Sequence, residues 1–472
     1  MSEFSTSVAI SNLKKYKRVF LSGPGGTGKS YIVKQLQKDS KAVILATTGI
    51  AAAQIGGVTV HKFFKLSICK NIDELKAYTS SSIVKIQESK KIDLEKASYI
   101  FYSGIKSVLK NCDFIVIDEV SMMSAEVLDM VFDRLTAVGY SDIPILFVGD
   151  MYQLPPVSGK GNASHFVFES SNWINVKTIE LSEIKRTSDL EFAGMQKEVR
   201  VGEPSRKTLE FIQGLERNEV SESVIRLLSL NADVKTHNTK MLLQVDGSLY
   251  KSVPQINYQA PYIDEATIGR FIDDLNLDHE LYFKKGAKII FTSNAYNDSY
   301  FNGELGVIEK INESDKTLVI RSSFTQETYL ISKTSFKLIK YVPDRENGGL
   351  KEEVLLSVSA YPFKLGYAIT IHKSQGMTLS EGYVDCSGIF LKEQFYVAFS
   401  RFTSPKSVCI KNFDERKHIG SNDYINKFYK NCDKMSLCAF AYVNDNKEVE
   451  DDKESGKAKS ASSLSELKCI EF

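Results

Sequence analysis

Short apolar runs, each closed by a polar or glycine-rich turn, recur through the first third of the chain. The runs at 18–21 (RVFL) and 42–46 (AVILA) are each followed by such a turn and then a helical pattern, 31–37 and 50–55. Strand, turn and helix in repetition predict a parallel sheet covered by helices. Four consecutive apolar residues at 114–117 (FIVI) read as a strand buried on both faces, and 144–148 and 177–181 supply two more. Residues 65–110 break the rhythm with a Ser/Lys-rich piece at 79–91, and read as a partly helical insertion. Residues 187–230 read mainly as helices, and an α/β texture resumes from Asp233. Between 284 and 341 three short β-runs (286–291, 301–308, 317–320) are separated by Asn-Gly and Gly turns, which predicts a small inserted β-barrel. After it come a strand passing into a helix at 366–376, a strand at 383–386, an amphipathic helix at 392–399 and a closing strand at 406–410. From about Asn444 the composition turns polar and charged, as in a disordered tail. Its last residues, 464–472, suit either a short docking segment or a frayed end.

Length and composition add bounds. A chain of 472 residues implies about three domains. The expected division is a first domain at 1–183 holding the 65–110 insertion, a second at 184–283 and 342–442, the barrel at 284–341, and the tail at 443–472. The net charge of +1 neither requires nor excludes a polyanionic partner, because a basic groove can sit on a neutral protein. The seven cysteines contain no C-x-x-C pair, and no His completes a zinc pattern around Cys432 and Cys438. No run approaches the roughly 20 apolar residues of a membrane span, and residues 1–4 (MSEF) carry no signal pattern. The expectation is a soluble protein of a reducing, intracellular compartment.

The chemistry is densest at 23–30, GPGGTGKS, which matches G-x-x-x-x-G-K-[ST] between a strand and a helix. Gly23, Gly25, Gly26, Thr27 and Gly28 would turn their backbone N–H groups toward an anion at the helix N-terminus. Lys29 would reach the β- and γ-phosphates of ATP, and the Ser30 hydroxyl would sit on Mg²⁺. About ninety residues later the strand 114–117 delivers Asp118 and Glu119 at its C-terminal end, where open α/β sheets place their sites. Asp118 would hold Mg²⁺ through water, and Glu119 would activate the attacking water. Gln153 follows the tip of the 144–148 strand, where its amide could sense the γ-phosphate. Thr47, Thr48, His61, Lys62, Phe63 and Phe64 combine hydroxyls, a base and aromatics in a way that suits a phosphate backbone with stacked bases. Phe63 and Phe64 read equally as core. Arg401, just past the 392–399 helix, would ordinarily be a solvated end-cap.

Seven stretches carry a resemblance: GPGGTGKS, TTGIAA at 47–52 with VTVHKFF at 58–64, FIVIDEVSMM at 114–123, VGDMYQLPPV at 148–157, NGELGVI at 302–308, AITIHKSQGMTL at 368–379 and YVAFSR at 396–401. In this order, over nearly the whole chain, they resemble a superfamily-1 DNA helicase of the 5′-to-3′ branch, close to the Pif (petite integration frequency) and RecD/Dda group. The resemblance implies two RecA-like domains with ATP between them. It implies that Arg186 and Arg401 reach the γ-phosphate as arginine fingers, and that Gln153 and Gly376 line the same cleft. Thr47, His61 and Phe63 in one domain, with Thr370, His372, Lys373 and Ser374 in the other, would follow single-stranded DNA. The 65–110 insertion would take the place of the strand-separating wedge, and the barrel would be Src-homology-3-like. Forked or structured DNA would be a further partner.

Two features depart from the pattern. The group's adenine-reading glutamine before the first strand has no counterpart at 5–9 (STSVA), which bears on nucleotide selectivity. The 129–142 segment is shorter and less basic than the group's longest signature, leaving the subgroup open between Pif-type and Dda/RecD-type. The implied activity is ATP-driven 5′-to-3′ translocation and unwinding, in DNA replication, recombination, repair or telomere maintenance. Its rivals are a DNA-stimulated ATPase that remodels protein–DNA complexes and an inactive single-strand-binding subunit. Intact Lys29, Asp118, Glu119 and Arg401 argue against the latter.

Overall fold

The computed structural model describes residues 5–441 apart from 39, 68, 157–164, 218–223, 260–262, 294, 296–299, 301, 324, 344–349, 380 and 421. The expected tail at 443–472 lies outside the described residues.

The apolar runs of the first third become β1 (Arg18–Ser22), β2 (Ala42–Ala46), β3 (Val58–Thr59), β4 (Phe114–Asp118), β5 (Ile145–Gly149) and β6 (Lys177–Glu180). They form a parallel sheet in the order β6-β1-β5-β4-β2-β3. Every residue of β4 and β5 is buried, as a central strand covered on both faces requires. Register aligns the strand tips: Ser22 pairs with Gly149, and Ala46 with Asp118. All the functional turns therefore leave one edge of the sheet.

The 65–110 insertion is a pair of helices, Ile72–Lys90 and Leu94–Leu109. Asn71 and Asp93 cap them through side-chain oxygens, and Lys91 turns the chain in the left-handed region. The second helix buries Ala97, Phe101, Ile105, Val108 and Leu109, a spacing of three and four that marks one helical face. Arg134, 1 % exposed, ties this hairpin down. Its Nε donates to the Phe64 carbonyl at 3.0 Å, and its guanidinium lies 5.3 Å from the Phe101 ring.

A second parallel sheet runs Ala368–Thr370, Arg226–Leu228, Gly382–Asp385, Val408–Lys411. Its Arg226–Leu228 strand falls in the stretch read as helical; three residues are too few for a periodic signal. The run after Asp233 is one helix, Asn231–Gln244. The helix expected after 370 is a single 3₁₀ turn, His372–Ser374.

Antiparallel structure extends beyond the expected 284–341. The strand order is Thr328–Ile331, Thr317–Ser322, Leu305–Asn312, Lys288–Phe291, Phe363–Leu365, and among the described residues this ladder does not close into a ring. A separate hairpin, Thr334–Pro343 with Leu350–Ala360, takes Gln255–Tyr258 as its third strand. This sheet was not expected from the sequence, since its third strand lies about a hundred residues away along the chain.

The C-terminal stretch departs from the expected division as well. After the helix Asp423–Asn431 the chain returns to the first sheet, where Asp433–Lys434 pairs parallel with β6. Phe440 then fills a core shared with Ala9, Leu13 and Val19, and the Asn12 amide donates to its carbonyl at 2.8 Å. The last described residues thus belong with the first sheet rather than the second.

Candidate active site and nucleic-acid interface

The loop between β1 and the helix Lys29–Lys38 carries the glycine motif. Gly26 and Gly28 hold φ of 84° and 88°, which L side chains rarely adopt. At Gly25 and Gly26 the missing side chain serves a second purpose. A Cβ on Gly26 would lie 2.5 Å from the Cβ of Arg186, and one on Gly25 would lie 3.0 Å from Arg401 Nη2 and 3.2 Å from Arg186 Nη1. Arg401 reaches the loop from the second sheet's helix Lys392–Phe399, and Arg186 from the segment after β6, where the Lys185 backbone N–H donates to the Gly26 carbonyl at 2.7 Å. Arg401 is 1 % exposed, so it is no solvated end-cap.

Neutral oxygens hold both arginines. Arg186 donates to the Ser400 carbonyl at 2.6 Å and to Thr378 Oγ1 at 3.1 Å; Arg401 donates to the Val397 carbonyl at 2.8 Å and to Ser400 Oγ at 2.7 Å. Burial, and then the neighbouring Arg401, pull the Arg186 guanidinium down to about 9. Two cations set side by side with neutral partners form a site that an anion would relieve. Lys29 Nζ donates to the carbonyls of Gly23 at 2.6 Å and Pro24 at 3.0 Å, and Thr27 Oγ1 to Pro24 at 2.9 Å. Burial lowers the Lys29 pKa, partly offset by Asp150 and Glu119. Ser30 is exposed at the start of the helix.

Asp118 ends β4 and is 8 % exposed, with Oδ1 accepting the Glu119 amide at 2.8 Å. Desolvation, then Glu119 beside it, raise its pKa to about 7. Glu119 sits at φ 52°, ψ 42°, left-handed for a residue with a side chain. Its carbonyl accepts the Thr47 hydroxyl at 2.8 Å, and its Oε2 accepts the Gln375 amide at 2.9 Å. Gln375 carries no mark in the sequence that sets it apart from Ser374 and Gly376 on either side. Gly376, at φ 80°, makes the turn that follows it. Asp150 and Tyr396, which have no role assigned from sequence, meet across the cleft at 2.9 Å. Gln153 is buried one turn after Asp150, its backbone N–H donating to the Asp150 carbonyl at 2.9 Å.

The expected nucleic-acid residues divide into two groups. Thr47, Thr48, His61 and Phe63 leave the tips of β2 and β3. The Thr48 hydroxyl accepts the Ala51 amide at 3.2 Å, Phe64 is core, and half-buried Phe63 packs edge-on against it at 4.9 Å. His372 and Lys373 lie on the 3₁₀ turn with partly exposed side chains. Thr370 and Ser374 are both buried. Thr370 Oγ1 accepts the Lys373 amide at 3.2 Å, and Ser374 Oγ donates to the Ile371 carbonyl at 2.7 Å. Their hydroxyls are committed to shaping the turn. Burial lowers the pKa of His61 and of His372. Among the described residues no group of three or more His, Cys, Asp or Glu could by itself hold a metal, and no helix is long and apolar enough to cross a membrane.

Comparison with known proteins agrees with this geometry. The profile described as PIF1-like helicase matches residues 4–207. The chain is 33 % identical over 425 residues to the ATP-dependent DNA helicase Pif1 of Campylobacter jejuni, covering 85 % of this chain and 90 % of that one. It is 28 % identical to the ATP-dependent DNA helicase PIF1 of Xenopus laevis, where it spans 63 % of the relative's length. The unliganded Pif1 structure from Bacteroides sp. superposes with a TM-score of 0.73 at 23 % identity, covering 91 % of this chain and 98 % of that one. With P-loop, paired carboxylates and opposed arginines on one cleft, and with a relative one-third identical along nearly its full length, the chain belongs to the PIF1-like helicase family.

Proposed function

We propose that this chain is an ATP-dependent DNA helicase that translocates 5′-to-3′ on single-stranded DNA and unwinds forked or structured duplexes. One observation carries the reading: Arg401, with Arg186 beside it, reaches the P-loop glycines from the opposite side of the cleft, while Gln375, from that same side, holds Glu119. The first unit supplies the P-loop, Asp118 and Glu119 from residues 1–183 together with the returning segment after 432. The second supplies the arginines, Gln375 and the 372–374 turn.

The N–H groups of Gly26 to Ser30 would bind the phosphates, with Lys29 swinging from the Gly23 and Pro24 carbonyls onto them. The donor set also fits Mg²⁺. The exposed Ser30 hydroxyl and the buried Asp118 carboxylate would hold the ion, which when bound offsets phosphate charge. Glu119 would take the proton of the attacking water, oriented by the Gln375 amide. Arg186 and Arg401 would balance the charge that develops on the transferred group. Gln153 and Gly376 would line this cleft.

Thr47, Thr48, His61, Phe63, His372 and Lys373 would follow the single strand, with Thr370 and Ser374 fixing the turn that presents His372 and Lys373. The Thr47 hydroxyl on the Glu119 carbonyl is a direct link from that strand to the hydrolytic residue. Strand displacement on duplexes with 5′ or 3′ single-stranded tails tests the proposal. ATP-dependent displacement from the 5′ tail, lost in Lys29→Ala, is expected. ATP turnover stimulated by single strands without displacement from either tail would leave a translocase and refute unwinding.

A further inference from the structure

Asp150 follows the tip of β5 and has no exposed surface, yet the hydrolytic chemistry above does not use it. Two side chains, one a hydroxyl donor and one a guanidinium, converge on its carboxylate from the other side of the cleft. The Tyr396 hydroxyl reaches Oδ2 at 2.9 Å, while Arg200 Nε lies 3.0 Å from Oδ1 and 3.2 Å from Oδ2, and Arg200 Nη2 lies 2.9 Å from Oδ1. The same Tyr396 oxygen accepts the Gly25 N–H at 3.2 Å. One phenol therefore spans the P-loop and the β5 tip at once. Burial keeps that phenol protonated, so it donates to Asp150 and can accept from Gly25.

Arg200 and Tyr396 belong to one body. Arg200 lies on the helix Leu190–Val201, and Tyr396 on the helix Lys392–Phe399. Gln196 of the first helix donates to the carbonyls of Phe399 and Phe402 at 3.2 Å each, and Phe192 meets Phe399 edge-on at 5.2 Å. On the opposite side the Arg200 guanidinium faces the rings of Tyr152 at 4.6 Å and Tyr429 at 5.2 Å. The Tyr429 hydroxyl is 2.6 Å from Ser22 Oγ, at the tip of β1. Arg401 stands five residues after Tyr396, just past the end of the same helix, with its Nε donating to the Val397 carbonyl at 2.8 Å. Docking Tyr396 therefore also sets where Arg401 stands above Gly25.

We propose that Asp150 on one side, with Tyr396 and Arg200 on the other, forms a latch that holds the nucleotide cleft closed and fixes the reach of Arg401. All three are positioning residues. The latch rests on the hydrolase reading and adds to it: opening the cleft would pull Tyr396 and Arg200 away from Asp150, so these bonds hold the closed arrangement in which Arg401 faces the P-loop.

The test is nucleotide binding to the full chain in the presence of a dT oligonucleotide, measured with ADP and with ADP plus aluminium fluoride. The wild type is expected to bind the aluminium fluoride complex more tightly than ADP. Tyr396→Phe keeps the ring and removes the hydroxyl. It should bind ADP within about twofold of wild type, lose at least tenfold of the preference for the analogue, and lower kcat while leaving KM for ATP unchanged. A Tyr396→Phe protein that binds ADP normally and keeps the full preference overturns the latch. Where Tyr396→Phe loses ADP binding as well, Arg200→Lys is read in its place, and the same two outcomes decide. A wild type without any preference for the analogue overturns the hydrolase reading itself, and the latch with it.

Discussion

Gln375→Ala isolates the contact that the sequence did not reveal. The side chain is buried, and its amide donates to Glu119 Oε2 at 2.9 Å across the cleft. A hydrogen bond to a charged acceptor contributes about 1.5–3 kcal/mol, and each 1.36 kcal/mol is about tenfold in rate. Full expression of that energy in the transition state would slow turnover by roughly 10- to 150-fold. Two other restraints on Glu119 survive the substitution: the left-handed backbone, and the Thr47 hydroxyl on its carbonyl. The expected loss in kcat is therefore about 10- to 50-fold, below that upper limit. KM for ATP should hold, because the P-loop contacts of Lys29 and Thr27 are untouched. The assay is steady-state ATP hydrolysis with saturating single-stranded DNA, alongside direct ADP binding. Gln375→Glu should be slower still, since it sets a second carboxylate where the amide donor was. A Gln375→Ala protein with wild-type kcat, or one whose ADP affinity falls in step with its kcat, would refute the claim that this amide orients Glu119.

Four further substitutions test other parts. Glu119→Gln should keep ATP and single-strand binding while turnover drops by orders of magnitude; equilibrium binding beside hydrolysis reads both. Arg401→Ala should reduce turnover by something near 10³-fold, with circular dichroism unchanged; a loss of ellipticity would make Arg401 a packing residue. Phe63→Ala should weaken single-strand affinity by about 1–3 kcal/mol if the ring stacks on a base, and titrations at several salt concentrations should give a steep dependence in both proteins. Phe440→Ala should destabilise the first sheet's core by about 3–5 kcal/mol, visible as a lowered first thermal transition; an unchanged melt would mean that the C-terminal return contributes nothing to that core.

The central strands and their turns were legible in the sequence because burial on both faces forces uninterrupted apolar runs. That is true of β4 and β5, whose residues are buried throughout. The strand Arg226–Leu228 and the return at Asp433–Lys434 were not legible, since segments of three and two residues gain their identity from distant partners. The same holds for the site. Lys29, Asp118 and Glu119 are marked by local context. The role of Gln375 depends on a carboxylate 256 positions away, and that of Tyr396 on one 246 positions away. Thr370 and Ser374 show the opposite case: their residue type suits a phosphate contact, and only the folded turn shows that their hydroxyls also bond its main chain.

The return of Asp433–Lys434 to the edge of β6 has a mechanical consequence. The chain leaves the first sheet near Leu181 and comes back to it by the helix Asp423–Asn431, so the body carrying the arginines hangs on two strands of backbone, not one. A body held at a single point can swivel freely. Held at two, it swings about the line between them, as a door does on a pair of pins. Free rotation is thereby reduced toward one opening angle, and each swing would carry Arg186 and Arg401 along nearly the same arc.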